Sequence, residues 1–304
     1  MIKTMRIDKP LKLAGITLAN PLMNGAYIGS KTLRDIELLA NAQSGAVVVG
    51  SISVRPRARN PGRGYWLHKE RLYALNSYGL PNGGMPYFKR VLPEMVRRVH
   101  AKSKPLIANV VGFSKEEFVP LIRLAEESGV DMAELNFGCP NVWDNGTQKA
   151  ILSYDPKLMQ ETLRYIRSAA PAIPLCVKLS PLPPDILQEV AQVITDSDVV
   201  RAVTATNSYP NGALNSGTRV DIEEALAGLT GRSLKPISLG VVTQLRALLP
   251  RHIAIIGSGG VSSANDVQDY LAAGAAAVQL ATALVEDGPS VFEKIHYQAT
   301  KRKM

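Results

Sequence analysis

Short apolar runs rich in β-branched residues recur along the chain, and a longer segment with helical spacing follows each one. Pro21-Leu22-Met23-Asn24, Ala46-Val47-Val48-Val49, Leu106-Ile107-Ala108-Asn109-Val110-Val111, Met132-Ala133-Glu134-Leu135-Asn136, Leu175-Cys176-Val177-Lys178-Leu179, Ala202-Val203-Thr204-Ala205-Thr206, Ile253-Ala254-Ile255-Ile256 and Ala277-Val278-Gln279-Leu280 make about eight such runs. Runs that are apolar at successive positions suit strands buried on both faces, as in a parallel sheet covered by helices. About eight of them, each trailed by a helix, is the number that a closed parallel barrel requires. The expected fold class is therefore α/β, a (β/α)8 TIM barrel. A doubly wound sheet is the rival. It accommodates poorly so many strand–helix units of similar length, and its glycine-rich turn would not come so late.

The helical segments carry their own punctuation. Leu33-Arg34-Asp35-Ile36-Glu37-Leu38-Leu39 is amphipathic and stops at Gly45. Ser114-Lys115-Glu116-Glu117 reads as a capping box, with Gly129 as the C-terminal stop. Asp155-Pro156 offers an N-cap and a proline at the first helical position. A further helix starts at Ser262-Ser263 and ends at Gly274. Ahead of the first run, Leu11 to Leu18 reads as a β-hairpin that could plug the barrel floor. Two long βα segments, Ser51 to about Pro86 and Ser208 to about Lys235, break the regular alternation. Long loops in a compact fold are usually functional. After barrel strands they lie over the C-terminal face, where sites are built.

No repeat, low-complexity tract or composition break divides the 304 residues, so residues 1–304 read as one domain. The net charge of +9 comes from scattered residues, the densest being Arg55, Arg57, Arg59 and Arg63, with a basic tail at Lys301-Arg302-Lys303. A solvated basic surface is the plain reading. The sharper one is an arginine segment holding an anionic ligand over the barrel mouth. Cys139 and Cys176 have neither metal-ligand spacing nor a disulfide framework, which suits a reducing compartment. No apolar run has membrane-span length, and Met1 to Arg6 lacks the apolar stretch of a signal peptide. A cytoplasmic protein without membrane or metal is expected. His68, His100, His252 and His296 are scattered and read as surface residues.

Chemistry gathers at the ends of the runs. Gly257-Ser258-Gly259-Gly260-Val261 follows the penultimate run and precedes a helix, the place where barrels bind phosphate together with the loop after the last strand, here Ala281-Thr282-Ala283. Glu134 to Asn141 ends a strand with Asn136 and Asn141 on either side of Cys139-Pro140. Their amides can grip a planar heterocycle, and the thiol can act as a base. Cys176, inside an apolar run, reads as core. Lys178, also inside a run, needs an anionic partner, either a cofactor atom or a buried carboxylate. Asn207-Ser208 ends another run with two hydrogen-bonding side chains, and Asn76 to Gly84 is a polar, glycine-rich loop. This set suits a planar, phosphate-bearing cofactor stacked against a small polar ring.

In combination and in this order, Asn76-Ser77-Tyr78-Gly79-Leu80-Pro81-Asn82, Glu134-Leu135-Asn136, Cys139-Pro140-Asn141, Val177-Lys178-Leu179, Asn207-Ser208 and Gly257 to Val261 resemble the class 1 dihydroorotate dehydrogenases, closest to the soluble class 1A type, along nearly the whole chain. The resemblance implies a single FMN-binding barrel domain that oxidises dihydroorotate to orotate in pyrimidine biosynthesis. It implies Cys139 as the base, and Asn76, Gly79, Leu80, Asn136, Asn141, Asn207 and Ser208 around the substrate. FMN would be held by Gly25, Ala26, Gly50, Ser51, Asn109, Lys178, Thr206, Gly231, Gly259, Gly260, Ala281 and Thr282. A homodimer and a soluble electron acceptor such as fumarate are implied as well; nucleic acid is not.

The sequence also departs from the family pattern. Gly50-Ser51 stands where a Lys-Ser pair is usual, Tyr78 where methionine is usual, Gly25-Ala26-Tyr27 where Ala-Ser-Gly is usual, and Ala281 where glycine is usual. The alternative readings are a paralogous FMN oxidoreductase acting on another cyclic amide or enone and, from the phrase Leu135-Asn136-Phe137-Gly138-Cys139-Pro140, an RNA-modifying enzyme similar to the tRNA-dihydrouridine synthases.

Overall fold

The computed structural model describes residues 7–144, 147–213 and 226–301. The chain start read for a leader, part of the second long segment and most of the basic tail fall outside those residues. Eight parallel strands form the central sheet: β1 (Leu22–Asn24), β2 (Val47–Ile52), β3 (Leu106–Val110), β4 (Met132–Asn136), β5 (Leu175–Leu179), β6 (Val200–Ala205), β7 (Ala254–Ser258) and β8 (Ala277–Leu280). They are hydrogen-bonded in the order β1-β8-β7-β6-β5-β4-β3-β2. A parallel bridge between Met23 and Ala46 brings β1 back to β2. Consecutive strands are neighbours all the way round, which is a barrel and not a doubly wound sheet.

The helices that follow the strands are α1 (Leu33–Asn41), α2 (Gly84–His100), α3 (Lys115–Glu127), α4 (Pro156–Ser168), α5 (Pro184–Ser197), α6 (Lys235–Leu248), α7 (Ala264–Ala272), α8 (Thr282–Asp287) and α9 (Val291–Lys301). Their local signals are mostly those of the sequence. Asp155 caps α4 through the Leu158 N–H, with Pro156 in the first turn, and Ser263 caps α7 through the Asp266 N–H. The capping box expected at Ser114 does not form. Ser114 sits at the N-cap without bonding a helix N–H; its hydroxyl is engaged by Glu116, and Glu117 reaches the Phe113 N–H at 2.8 Å. A complete box occurs instead at Thr32 and Asp35, ahead of α1.

The barrel interior takes one side chain from each strand: Met23, Val48, Ile107, Met132, Cys176, Ala202, Ile256 and Ala277 are all buried in one cluster. Leu13 and Leu18 of the N-terminal hairpin, Leu11–Leu13 paired with Ile16–Leu18, complete that cluster and plug the floor. Cys176 is core, as its sequence context indicates. The opposite faces of the strands pack against the helices in the larger apolar cluster.

The two long segments are not plain loops. Tyr65–Leu67 and Ala74–Asn76 from the segment after β2 join Tyr209–Gly212 and Ala227–Thr230 from the segment after β6 in a four-stranded antiparallel sheet. Two insertions on different sides of the barrel are thereby stitched together at the mouth, and Asn76 is delivered from a strand end rather than from a turn.

The seam between β1 and β2 depends on a side chain. Asn24 is fully buried; its Nδ2 donates to the Val48 carbonyl at 2.6 Å and its Oδ1 accepts from the Val48 N–H at 2.9 Å. The amide thus supplies the two bonds that a longer β1 backbone would have made. Asn24→Leu should leave both Val48 backbone groups buried and unpaired, at a cost of about 2–4 kcal/mol from the usual penalty per group. Urea unfolding monitored by circular dichroism measures it, and a change below about 0.5 kcal/mol, the level of an ordinary surface substitution, would show that the seam is held by something else.

Candidate active site

The C-terminal ends of the strands open into a cavity of about 1240 Å³, part of it continuous with solvent. Every residue assigned to substrate from the sequence lines it: Asn76, Gly79, Leu80, Asn136, Asn141, Asn207 and Ser208, together with Cys139. So do Ala26, Gly50, Ser51, Lys178, Thr206, Gly231, Gly259, Gly260, Ala281 and Thr282 of the cofactor set. Gly25 and Asn109 lie one layer below. The Gly25 N–H donates to the Leu280 carbonyl at 2.7 Å, and a Cβ there would sit 3.3 Å from Gln279 Oε1 and 3.6 Å from Lys178 Nζ. Asn109 is fully buried, accepting from Ser51 Oγ at 2.5 Å and donating to Glu134 at 2.7 Å.

The four asparagine amides are tied in pairs. Asn141 Nδ2 donates to Asn76 Oδ1 at 2.6 Å, and Asn207 Nδ2 donates to Asn136 Oδ1 at 3.2 Å. Asn136 also donates to Ser51 Oγ at 3.3 Å, and Asn207 Oδ1 accepts from the Ser208 N–H at 2.8 Å. Each amide has two donor hydrogens and two acceptor lone pairs. The pairing fixes the side-chain planes and leaves groups over for a ring with alternating N–H and C=O edges.

Cys139 stands in the pocket wall among these amides. Burial pushes its thiol up to about 11, opposed by the Asn141 backbone N–H and by the positive charges of Arg57, Lys31 and Lys178. The group is a neutral thiol at neutral pH in this arrangement, with three cations close enough to favour its deprotonation.

Lys178 has the partner its burial demands. Its Nζ donates to Gln279 Oε1 at 2.7 Å and lies 3.9 Å from Glu134 Oε1. Glu134 is fully buried and also accepts from Asn109, from Thr204 Oγ1 at 2.6 Å and from Gln279 Nε2 at 2.7 Å. The carboxylate reading of the lysine is the one its contacts show, and its side chain also lines the cavity.

The glycine turn is built for close approach. Gly259 has φ +125° and a Cβ there would fall 2.2 Å from Ser238 Oγ; Gly260 has φ +69°. Neither position takes a side chain without strain. The backbone N–H groups of Gly259, Gly260 and Thr282 find no acceptor among the described residues. Thr206 and Ser238 share a 2.7 Å hydroxyl contact behind the turn, and Thr230 bonds to Thr282 beside it. Unpaired backbone donors at such a turn form an anion site.

The arginine segment does not reach the cavity. Arg55, Arg59 and Arg63 are exposed, while Arg57 lies over the Phe113 ring at 4.5 Å and donates to the Gly79 carbonyl at 3.2 Å. The plain reading, a solvated basic surface, is correct for the three exposed arginines. Among the lining residues that sequence reasoning missed are Lys31 and Tyr65. Lys31 follows the first strand, and its Nζ donates to the Pro81 carbonyl at 2.6 Å. Tyr65 stacks on Tyr78, with ring centroids 6.2 Å apart, and its buried hydroxyl has no partner among the described residues. A lysine beside a helix start and a tyrosine in an arginine-rich segment carry no sequence signal for a site.

The chain is similar along nearly its whole length to one family of known proteins. A family model described as dihydroorotate dehydrogenase matches residues 10–302. The chain is 33% identical over 296 residues to a dihydroorotate dehydrogenase (fumarate) of Trypanosoma cruzi, covering 94% of this chain and 90% of that protein. It is 29% identical to dihydroorotate dehydrogenase A (fumarate) of Lactococcus lactis, covering 93% of this chain and 90% of the relative. It is 31% identical to the catalytic subunit of dihydroorotate dehydrogenase B (NAD(+)) of Thermoplasma volcanium, covering 96% of this chain and 92% of the relative.

Gly50 has φ +125°, and a Cβ there would lie 2.4 Å from the Asn109 carbonyl oxygen. Gly50→Lys, which would restore the usual family pair, should therefore destabilise the protein by roughly 2–5 kcal/mol, the sum of left-handed strain and overpacking. Chemical denaturation measures this; a variant as stable as the parent would mean that the β2 end can rearrange to admit a side chain.

Proposed function

The chain belongs to the dihydroorotate dehydrogenase family, and on that premise we propose that it oxidises dihydroorotate to orotate in pyrimidine biosynthesis, with FMN as its cofactor and fumarate as the electron acceptor. The observation that carries this reading is the convergence, in one cavity, of the paired amides around Cys139 with a glycine turn whose N–H groups are unpartnered.

The residues present fit the cofactor. Gly259, Gly260 and Thr282 offer backbone donors for the terminal phosphate of a mononucleotide. Lys178, fixed by Gln279 and Glu134, offers a positive charge to the ring edge. Bound FMN supplies the acceptor for a hydride leaving the substrate ring. Asn76, Asn136, Asn141 and Asn207 hold the substrate by its N–H and C=O edges and keep one ring carbon against Cys139. The Cys139 sulfur takes the proton from that carbon as the neighbouring carbon gives up its hydride, so the ring loses two electrons and two hydrogens and gains a C=C bond. Fumarate, in a second half-reaction, receives the same two electrons with two protons and becomes succinate.

No helix among the described residues is long and apolar enough to cross a membrane. A cytoplasmic homodimer is the setting that the class resemblance favours.

Anaerobic mixing of the purified yellow protein with dihydroorotate should bleach the oxidised flavin band, and fumarate should restore it. Bound FMN that stays oxidised would remove dihydroorotate as the substrate. Cys139→Ser should keep FMN and slow bleaching about 10²- to 10⁴-fold, the usual contribution of a positioned base. Because burial holds the thiol up at about 11, the reactive thiolate is a minor form at neutral pH. The parent's bleaching rate should climb by roughly tenfold per pH unit below that value, since only the deprotonated sulfur accepts the proton. Unchanged bleaching in Cys139→Ser would take the thiol out of the mechanism.

A further inference from the structure

The cavity contains two lysines, and they are held very differently. Lys178 is matched by Glu134 and Gln279. Lys31 has no carboxylate within ion-pair distance of its Nζ among the described residues; its one bond is to the Pro81 carbonyl, at 2.6 Å. Asp35, in the first turn of the helix that follows, is engaged by the backbone N–H groups of Lys31 at 3.2 Å and Thr32 at 2.9 Å. An ammonium group has three donors. Two of them remain for something in the cavity that Lys31 lines beside Cys139.

The backbone puts it there on purpose-built terms. Ser30 and Gly50 are bonded in both directions: the Gly50 N–H donates to the Ser30 carbonyl at 3.0 Å, and Ser30 Oγ donates to the Gly50 carbonyl at 3.2 Å. The loop that carries Lys31 is thereby pinned to the end of β2, at a position that has no room for a side chain. Among the described residues, the one arginine of the cavity lining is Arg232, which is exposed and whose charge acts on Glu286, another lining residue. Arg57 is spent on Phe113 and the Gly79 carbonyl, and Arg55, Arg59 and Arg63 are exposed away from the cavity lining.

Resting on the dihydroorotate reading above, we propose that Lys31 is the substrate-anion anchor: its ammonium pairs with the carboxylate of the ring substrate beside Cys139 and sets the preference for carboxylate-bearing over neutral rings. Burial lowers the Lys31 ammonium to about 8, against the raising effects of Cys139 and Asp35. The groups that reach it are Asp35 on α1, the helix that follows, and the Cys139 thiol across the cavity, while Arg57 in the segment after β2 and Lys178 on β5 act on the same thiol. A buried ammonium with no counter-ion is what an incoming carboxylate relieves.

The test uses the FMN holoenzyme and follows the flavin absorbance during titration with orotate, which carries the carboxylate, and with uracil, which does not. Lys31→Met should weaken orotate roughly tenfold to a hundredfold, the usual loss for a charge-assisted bond, and leave uracil unchanged. Lys31→Arg should restore most of the orotate affinity. In the parent, orotate binding should be constant below about pH 8 and weaken as pH rises past that value, because the ammonium is lost; in Lys31→Met the curve should be flat. If Lys31→Met sheds its flavin, Lys31→Gln takes its place in the same ratio measurement. An orotate-to-uracil ratio that does not change in a flavin-loaded variant overturns the assignment of Lys31 alone, provided the parent is bleached by dihydroorotate. A parent that neither binds orotate nor is bleached overturns the functional reading and the anchor with it.

Discussion

The buried carboxylate of Glu134 is the point on which the barrel mouth depends. Removing a carboxylate from water costs several kcal/mol unless its oxygens are fully bonded. Here they are: Oε1 accepts from Asn109 on β3 and faces Lys178 on β5, and Oε2 accepts from Thr204 on β6 and Gln279 on β8. Five strands are drawn to one charge. Gln279 acts as the relay, donating to Glu134 through Nε2 while accepting from Lys178 through Oε1. The same chain of bonds runs outward through Asn109 to Ser51, through Ser51 to Asn136, through Asn136 to Asn207 and on to Ser208. Two of the four cavity amides, Asn136 and Asn207, are thus oriented by a network whose core is a satisfied charge, while Asn76 and Asn141 are held by each other, by the Gly228 carbonyl and by Asn60.

Tyr27 and Tyr78 are each accommodated by a neighbouring glycine. The ring of Tyr27 lies so close to Gly29 that a Cβ there would be 2.8 Å from it, and the ring of Tyr78 meets Gly64 in the same way, at 2.8 Å. Each additional aromatic ring is seated against a missing side chain. Tyr78 is held on its other side by Tyr65, and burial pushes the Tyr27 hydroxyl up to about 12, so it stays neutral across the working range. Gly50 follows the same logic. It has no room for a side chain against the Asn109 carbonyl, and its backbone groups hold the Ser30 loop from which Lys31 enters the cavity lining.

The parts of this structure that the sequence discloses are those governed by local rules. Strands buried on both faces are near-continuously apolar, so all eight barrel strands appear as runs, within a few residues of their observed ends. The cap at Asp155 and the stop at Gly129, with φ +78°, are equally local. What stays hidden depends on contacts between distant segments. The sheet over the mouth is made of strands of three or four residues with mixed polarity, which acquire strand geometry only by pairing across the mouth. Asn24 ends its run as any loop-facing asparagine would, yet its amide closes the barrel seam. The box at Ser114 has the right letters, and neighbouring bonds to Glu116 and Phe113 claim them. The cavity residues marked by amides, thiol and glycines were legible because their chemistry is uncommon at strand ends. Lys31 was not, since a lysine just before a helix is ordinarily solvated.

The charge arrangement gives the site a direction. On one side the Lys178 ammonium is largely balanced by Glu134; on the other the Lys31 ammonium is unbalanced and adjacent to the thiol. The overall +9 of the chain does not produce this difference, because the densest arginine run faces solvent. The two roles open to Lys31 compete: paired with a substrate carboxylate, it does less to draw the proton from Cys139. Arg57 resolves the competition. Its guanidinium is held outside the lining by Phe113 and the Gly79 carbonyl, so its charge acts on Cys139 whether or not the cavity is filled. In the proposed roles, the cation that binds and the cation that only polarises are therefore separate residues, so that anchoring the substrate would not disarm the base.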